Sequence, residues 1–204
     1  MLYTLIHDSN NYLEVHFNRE QIWRILEEYG DDHIDHRIDV NCEPKSFQYI
    51  IKEPLSLSFP IIQKSDKNKK IPDIHISSGR LFMNTKAFQV LKPLIESDGE
   101  FLPVTYENGE GYFYIPFRIA EDRDAINTEL STENSWNYFD HLVFYEKKIE
   151  DWSLFRMKYD GYKSVFCQES VKAAIENAGL KGLFITNDLA NIFPEERSTV
   201  SKLN

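Results

Sequence analysis

Most apolar residues of this chain come in short runs bounded by turn-forming residues, and only three stretches repeat them at helical spacing. A chain patterned in this way must build much of its core from strands. Residues 12–17 alternate, residues 55–59 alternate with serines outward, and 112–119, 141–145, 153–157, 164–166 and 183–185 are short apolar or aromatic runs. Aromatic residues make up 14% of the chain, mostly Phe and Tyr, and flat rings pack well on a pleated surface. Glu107-Asn108-Gly109-Glu110-Gly111 is a strong turn signal between two such runs.

The three helical stretches carry end signals. Asn18 can cap a helix with Gln21 three residues on; Ile22, Ile25, Leu26 and Tyr29 share a face, and Gly30 stops the run. Asn84 can cap a second helix with Ala87, Phe88, Leu91 and Ile95 on one face, which Pro93 should bend or shorten. Val171, Ala174, Ile175 and Ala178 mark a third, closed by Gly179 and Leu180. Together these features predict an α+β fold with a mixed or mainly antiparallel sheet and about three helices.

A chain of 204 residues with 42% apolar side chains suits one domain over 1–204, with a candidate seam in the polar basic stretch 64–71 and a polar tail at 195–204. No run approaches the roughly 18 uncharged apolar residues of a membrane helix, and the N-terminus lacks the basic-then-apolar pattern of an export signal. Cys42 and Cys167 lie far apart with no CxxC spacing, which fits a reducing, cytoplasmic setting. The 23 basic and 33 acidic side chains leave a net charge of −10. Phosphate backbones would be repelled by such a chain, so nucleic acid is not an expected ligand, whereas a basic protein partner would be attracted.

The densest polar cluster is Asp31-Asp32-His33-Ile34-Asp35-His36. Its residue types bind divalent metals, but the spacing matches neither HExxH nor a calcium loop, and hydrophilic residues are expected after a helix stop. No metal and no cofactor are therefore expected; the rival reading is a hydrolase using His33, His36 and Asp35 around a metal. Neither cysteine is in a recognisable activating context, and no GxSxG elbow, Walker loop or GxGxxG fingerprint occurs. His75 lies between Ile74 and Ile76 beside Asp73, which could orient it as a base, although a histidine so flanked reads first as a structural strand residue; His7, His16 and His141 read the same way. Glu121-Asp122-Arg123-Asp124 leads through Glu129 and Glu133 to Trp136-Asn137-Tyr138-Phe139-Asp140, a stretch with no clear period. Aromatics ringed by acids suit a contact surface for a basic protein, and Asp122, Asp124, Trp136 and Tyr138 are its candidate residues. The competing reading places Trp136 and Phe139 in the core.

From Pro72 onward the order of features resembles a family of bacterial immunity proteins of polymorphic-toxin systems, immunity family eleven, formerly a domain of unknown function. The residues that carry the resemblance are Pro72-Asp73-Ile74, Gly79-Arg80-Leu81-Phe82-Met83-Asn84 with Ala87, Phe88 and Leu91, Glu100-Phe101-Leu102-Pro103-Val104, and Tyr112-Phe113-Tyr114-Ile115. Phe166-Cys167-Gln168-Glu169-Ser170-Val171, leading to Ala178-Gly179-Leu180-Lys181-Gly182-Leu183-Phe184, looks like the family's final helix, turn and strand. Residues 1–60 have no counterpart, and Asn127 and Ser131 stand where the family tends to show an aspartate and a serine. The resemblance implies a small protein made beside a toxin, binding it stoichiometrically in the bacterial cytoplasm and blocking its active site or an essential movement. It implies no enzymatic activity of the chain's own. An adaptor that carries an effector to a secretion machine is the remaining alternative.

Overall fold

Asn18 opens the first helix as its spacing predicts: its side chain accepts a hydrogen bond from Gln21 N at 3.1 Å, and Gly30 closes the helix at φ 80°. The computed structural model describes residues 1–30, 34–136 and 138–196. Helix α1 spans Arg19–Tyr29, α2 Thr85–Ile95 and α3 Glu169–Asn177. Asn84 caps α2 by accepting from Ala87 N at 2.8 Å. Pro93 does not end α2, because Gln89, whose carbonyl loses its helical donor to the proline, lies on the solvent side of the helix.

The strands form two main sheets. The first contains β1 (Leu2–His7), β10 (Leu154–Phe155), β11 (Val165–Gln168) and β12 (Leu183–Thr186), all antiparallel in the order β10-β11-β1-β12. The second contains β2 (His16–Phe17), β3 (Leu55–Ser58), β4 (Ile74–Ser77), β5 (Arg80–Asn84), β6 (Gly99–Tyr106) and β7 (Gly109–Pro116), ordered β2-β3-β6-β7-β5-β4. Only its β3–β6 pair is parallel. A small hairpin, β8 (Thr132–Glu133) with β9 (Phe139–His141), stands apart. The fold is α+β with mixed and antiparallel sheets, and among the described residues no helix is long and apolar enough to cross a membrane.

Alternation along the strands separates three cores. Phe82, Leu102, Val104, Phe113 and Ile115 face α1 and the residues from Ile38 to Phe59. On the opposite face Leu81, Met83 and Tyr114 meet α2 and α3, which are backed by Tyr3, Leu5, Val165 and Cys167 of the smaller sheet. The outer face of that smaller sheet carries Leu2, Phe155 and Phe166 under Ala120, Leu142, Phe144, Ile149 and Trp152. Of the apolar helix faces, Ile22, Ile25, Leu26, Ala87, Leu91, Ile95, Val171 and Ile175 are buried; Phe88 is half-buried and stacks on Tyr112 with ring centroids 3.5 Å apart, Ala174 and Ala178 are half-buried, and Tyr29 is exposed.

Several local expectations need correction. Residues 12–17 contribute only the two-residue β2, since Val15 N and the exposed Glu14 carboxylate are engaged with His75. Residues 141–145 are not one strand: β9 ends at His141, and Phe144 makes an isolated bridge to Ile126. The basic stretch at 64–71 is not simply an exposed loop. Asp66 is buried in a short helical turn, Lys70 N donates to Asn11 O at 3.1 Å, and Ile71 packs on the first core. Strands β1, β4, β5 and β6 lie where no periodic signal was read.

Two glycines make close approaches that a side chain would prevent. At Gly79, with φ 73°, an added Cβ would sit 1.8 Å from Tyr162 O; at Gly182, with φ 119°, it would sit 2.1 Å from Ile74 O. Gly182 lies where the two main sheets meet, beside Lys181 O, which accepts from Asp73 N and Ile74 N at 2.8 and 3.0 Å.

Candidate functional site

The aromatic-acidic segment lies on the outer side of the third core. Asn134 shapes its tip: Oδ1 accepts from Trp136 N at 2.9 Å and Tyr138 N at 3.2 Å, while Asn134 N donates to Tyr138 O at 2.8 Å. This closed turn presents Trp136, 80% exposed, and Tyr138, 60% exposed, to solvent, with Leu130 exposed nearby in sequence. Trp136 is therefore not a core residue. Phe139 is half-buried on the third core and packs against Tyr159 at 4.5 Å. Asn137 lies outside the described residues.

Asn127 and Ser131 fix the base of this hairpin. Asn127 Oδ1 accepts from Glu129 N and Leu130 N, while Ser131 Oγ donates to Val143 O and accepts from Val143 N. Both residues serve the backbone. Glu121 does likewise, its two oxygens accepting from Lys158 N and Tyr159 N at 2.9 and 2.8 Å. Tyr159 in turn hydrogen-bonds Glu133, which holds its hydroxyl above the usual phenol range. The short helical turn Ala120–Arg123 and the β8–β9 hairpin are thus linked through Glu121, Tyr159 and Glu133.

Asp122 and Asp124 are both exposed on or beside that turn. Asp124 adopts φ 47°, and its carbonyl accepts from Lys148 Nζ at 2.8 Å. Between the two aspartates, Arg123 pairs with Asp151 and lies over Trp152 at 4.2 Å. The acidic stretch is therefore interleaved with two cations, of which sequence order reveals Arg123 but not Lys148.

The cluster singled out at 31–36 is only partly described, since Asp31, Asp32 and His33 lie outside the described residues. Ile34–His36 forms a short helical turn, and the His36 ring packs edge-on against Tyr29 and Tyr49. Asp73 does not orient His75. Its oxygens accept from Asn84 Nδ2 and Lys181 N instead.

Among the described residues, the ligand set that does assemble is His7, Glu14 and His75, with one candidate donor atom from each within 4.8 Å of the others. His7 ends β1 in the middle of the smaller sheet, His75 lies on β4 at the edge of the larger, and Glu14 comes from the loop after β1. Glu14 Oε2 is 2.9 Å from His75 Nε2, and Glu14 Oε1 is 3.5 Å from His7 Nε2. The two imidazoles lie 4.0 Å apart, with planes inclined at 44°. Burial, and then the neighbouring His75, push His7 down to about 4, with Glu14 partly offsetting them. Burial likewise lowers His75 against the pull of Glu14, while the hydrogen bond with His75 holds Glu14 below the usual carboxylate range. The sequence hid this set because its three members lie on separate segments with no common spacing.

Cys167 is fully buried, and burial pushes its thiol well above the ordinary range; Cys42 is partly exposed in the loop after α1. Iodoacetamide should therefore add to one cysteine of the native protein, Cys42, and to both after denaturation, as read by intact mass. Two adducts on the native protein would place Cys167 within reach of solvent.

The void between α1 and the residues from His36 to Leu55 amounts to about 10 Å³, no more than a single water needs, so no substrate enters there. No family model matches the chain, and no curated protein matches it. Resemblance to immunity proteins therefore rests on the residues quoted above.

Proposed function

We infer that this chain is a bacterial immunity protein, which binds a cognate toxin in the cytoplasm and neutralises it by stoichiometric contact without chemistry of its own. The observation that carries the reading is the β8–β9 tip, where Trp136 and Tyr138 stand exposed on a turn already closed by Asn134. Large rings on a backbone turn that is already closed bury much area at little cost in backbone freedom on binding, which is the character of an interface anchor. The occupant is a basic protein surface. Exposed Glu129, Glu133 and Asp140 adjoin the rings in sequence, and the net charge of −10 favours encounter with a cationic partner. The resemblance from Pro72 to Phe184 supports the same reading.

Co-expression with the product of the neighbouring gene tests it. That product alone should arrest growth, and this chain should restore growth by forming a one-to-one complex. Association should slow as salt rises from about 0.05 to 0.15 M, with dissociation changing much less. Asp122→Lys combined with Asp124→Asn should lower the association rate; asparagine is chosen at 124 because it tolerates the left-handed backbone there. Growth arrest that this chain leaves unrelieved would overturn the reading. A stable complex whose partner stays toxic would also overturn it, in favour of an adaptor.

A further inference from the structure

We propose that His7, Glu14 and His75 form a binding site for a divalent transition metal of the zinc type, clipping the smaller sheet to the edge of the larger one. Two imidazoles and a carboxylate make a donor set that zinc accepts readily and that calcium or magnesium, which favour oxygen, do not. Tetrahedral zinc with bonds of roughly 2.0–2.1 Å holds its ligand atoms about 3.4 Å apart. The carboxylate oxygens of Glu14 already stand 2.9 and 3.5 Å from the two Nε2 atoms, and all three donors fall within 4.8 Å. Only small side-chain movements separate this arrangement from a coordination shell.

An independent observation concerns His7. Its ring is nine-tenths buried, yet neither nitrogen makes a hydrogen bond. The carbonyls of Gly182 and Tyr12 lie near the ring and favour its protonated form. Buried imidazole nitrogens are ordinarily satisfied, and a bare ring nitrogen 3.5 Å from a carboxylate oxygen gains nothing from it unless a proton or a cation stands between them. His75 Nε2 faces the same conflict. It lies 3.3 Å from Val15 N, which requires a bare lone pair, and 2.9 Å from Glu14 Oε2, which requires a proton or a cation. A metal ion satisfies the Nε2 atom of each histidine and the carboxylate together, displacing only the long Val15 contact, while both Nδ1 atoms stay buried without a partner. Glu14 is 57% exposed on its side chain, so the ion has an entry path and water can complete its shell.

The site also has a mechanical reason. At this seam backbone hydrogen bonds run from Asp8 N to Gly182 O and from Asp73 N and Ile74 N to Lys181 O, and a shared ion would add one more tie between the sheets. Binding that occurs only in the folded chain raises its stability.

The test uses the full chain without an affinity tag, stripped with EDTA and titrated with Zn²⁺ by calorimetry. One Zn²⁺ should bind per chain, and the melting temperature should rise with it. Glu14→Gln, an isosteric change at an exposed side chain, should fold normally in EDTA. It should weaken Zn²⁺ binding by at least about a hundredfold, more than the loss of a supporting hydrogen bond costs. Co²⁺ in place of Zn²⁺ should give visible ligand-field bands in the wild type that Glu14→Gln and His75→Gln lose. If His75→Gln fails to fold, Glu14→Gln alone decides. Binding no tighter than about 100 µM, binding untouched by Glu14→Gln, or binding removed instead by His33→Ala with His36→Ala would overturn the proposal. No toxin partner enters the experiment, so its failure is separate from failure of the immunity reading.

Discussion

Replacing Arg156 by methionine is expected to destabilise the protein by roughly 3–5 kcal/mol, although the replacement is close in length and more apolar. Arg156 is fully buried and, among the described residues, forms no ion pair with a carboxylate. Its guanidinium donates to Cys42 O at 2.7 Å, Pro116 O at 2.6 Å and, more weakly, Tyr162 O at 3.4 Å. Arg80, also buried, donates to Ile38 O and to Asn41 O at 3.0 Å. Two cations thus hold the loop after α1 against the larger sheet through backbone carbonyls alone. Burial, and for Arg156 the neighbouring Arg80, push both down to about 10, and each stays charged at neutral pH.

A buried ion pair can often be replaced by apolar residues because both partners leave together. Here the acceptors are main-chain carbonyls that no substitution removes; Pro116 O would be left buried, and Cys42 O and Tyr162 O part-buried, without this donor. Chemical denaturation of Arg156→Met against wild type checks the value. A loss below about 1 kcal/mol would mean that water reaches those carbonyls in the variant.

Trp136→Ala is expected to weaken the partner complex by about 2–4 kcal/mol, roughly 30- to 1000-fold, almost entirely through faster dissociation. The same variant should unfold at the wild-type temperature. Trp136 buries little surface within the chain, and the turn that carries it is held by the Asn134 side chain and by backbone groups, none of which the substitution touches. Kinetics on the immobilised partner and a thermal melt of the free protein separate the two effects. An unchanged off-rate would remove this tip from the interface, and a large drop in melting temperature would assign the ring a structural role.

These two expectations draw on different layers of legibility. Trp136 stood out in the sequence because aromatics were crowded among acids without a period, but periodicity could not choose between surface and core. The choice was made by the Asn134 turn and by Phe139, which takes the inward position on the third core. Arg156 gave no signal at all. Arginine is read as a surface residue by default, and its acceptors come from residues 42, 116 and 162. Asp73 was the sequence neighbour of His75, yet Glu14, far away in the chain, is its partner in space.

The sequence by itself determined the elements whose causes are local. Asn18 and Gly30 bound α1, Asn84 caps α2 even with Pro93 inside it, Gly179 follows α3, and the Glu107-Asn108 turn joins β6 to β7. Each depends on side chains within a few residues of the backbone groups they satisfy. The tertiary structure decided the division into two sheets, the single parallel pair β3–β6, the placement of β1 between β11 and β12, and the meeting of His7, Glu14 and His75. Those features are contacts between distant segments, fixed by which apolar faces cover one another, and no spacing along the chain encodes them.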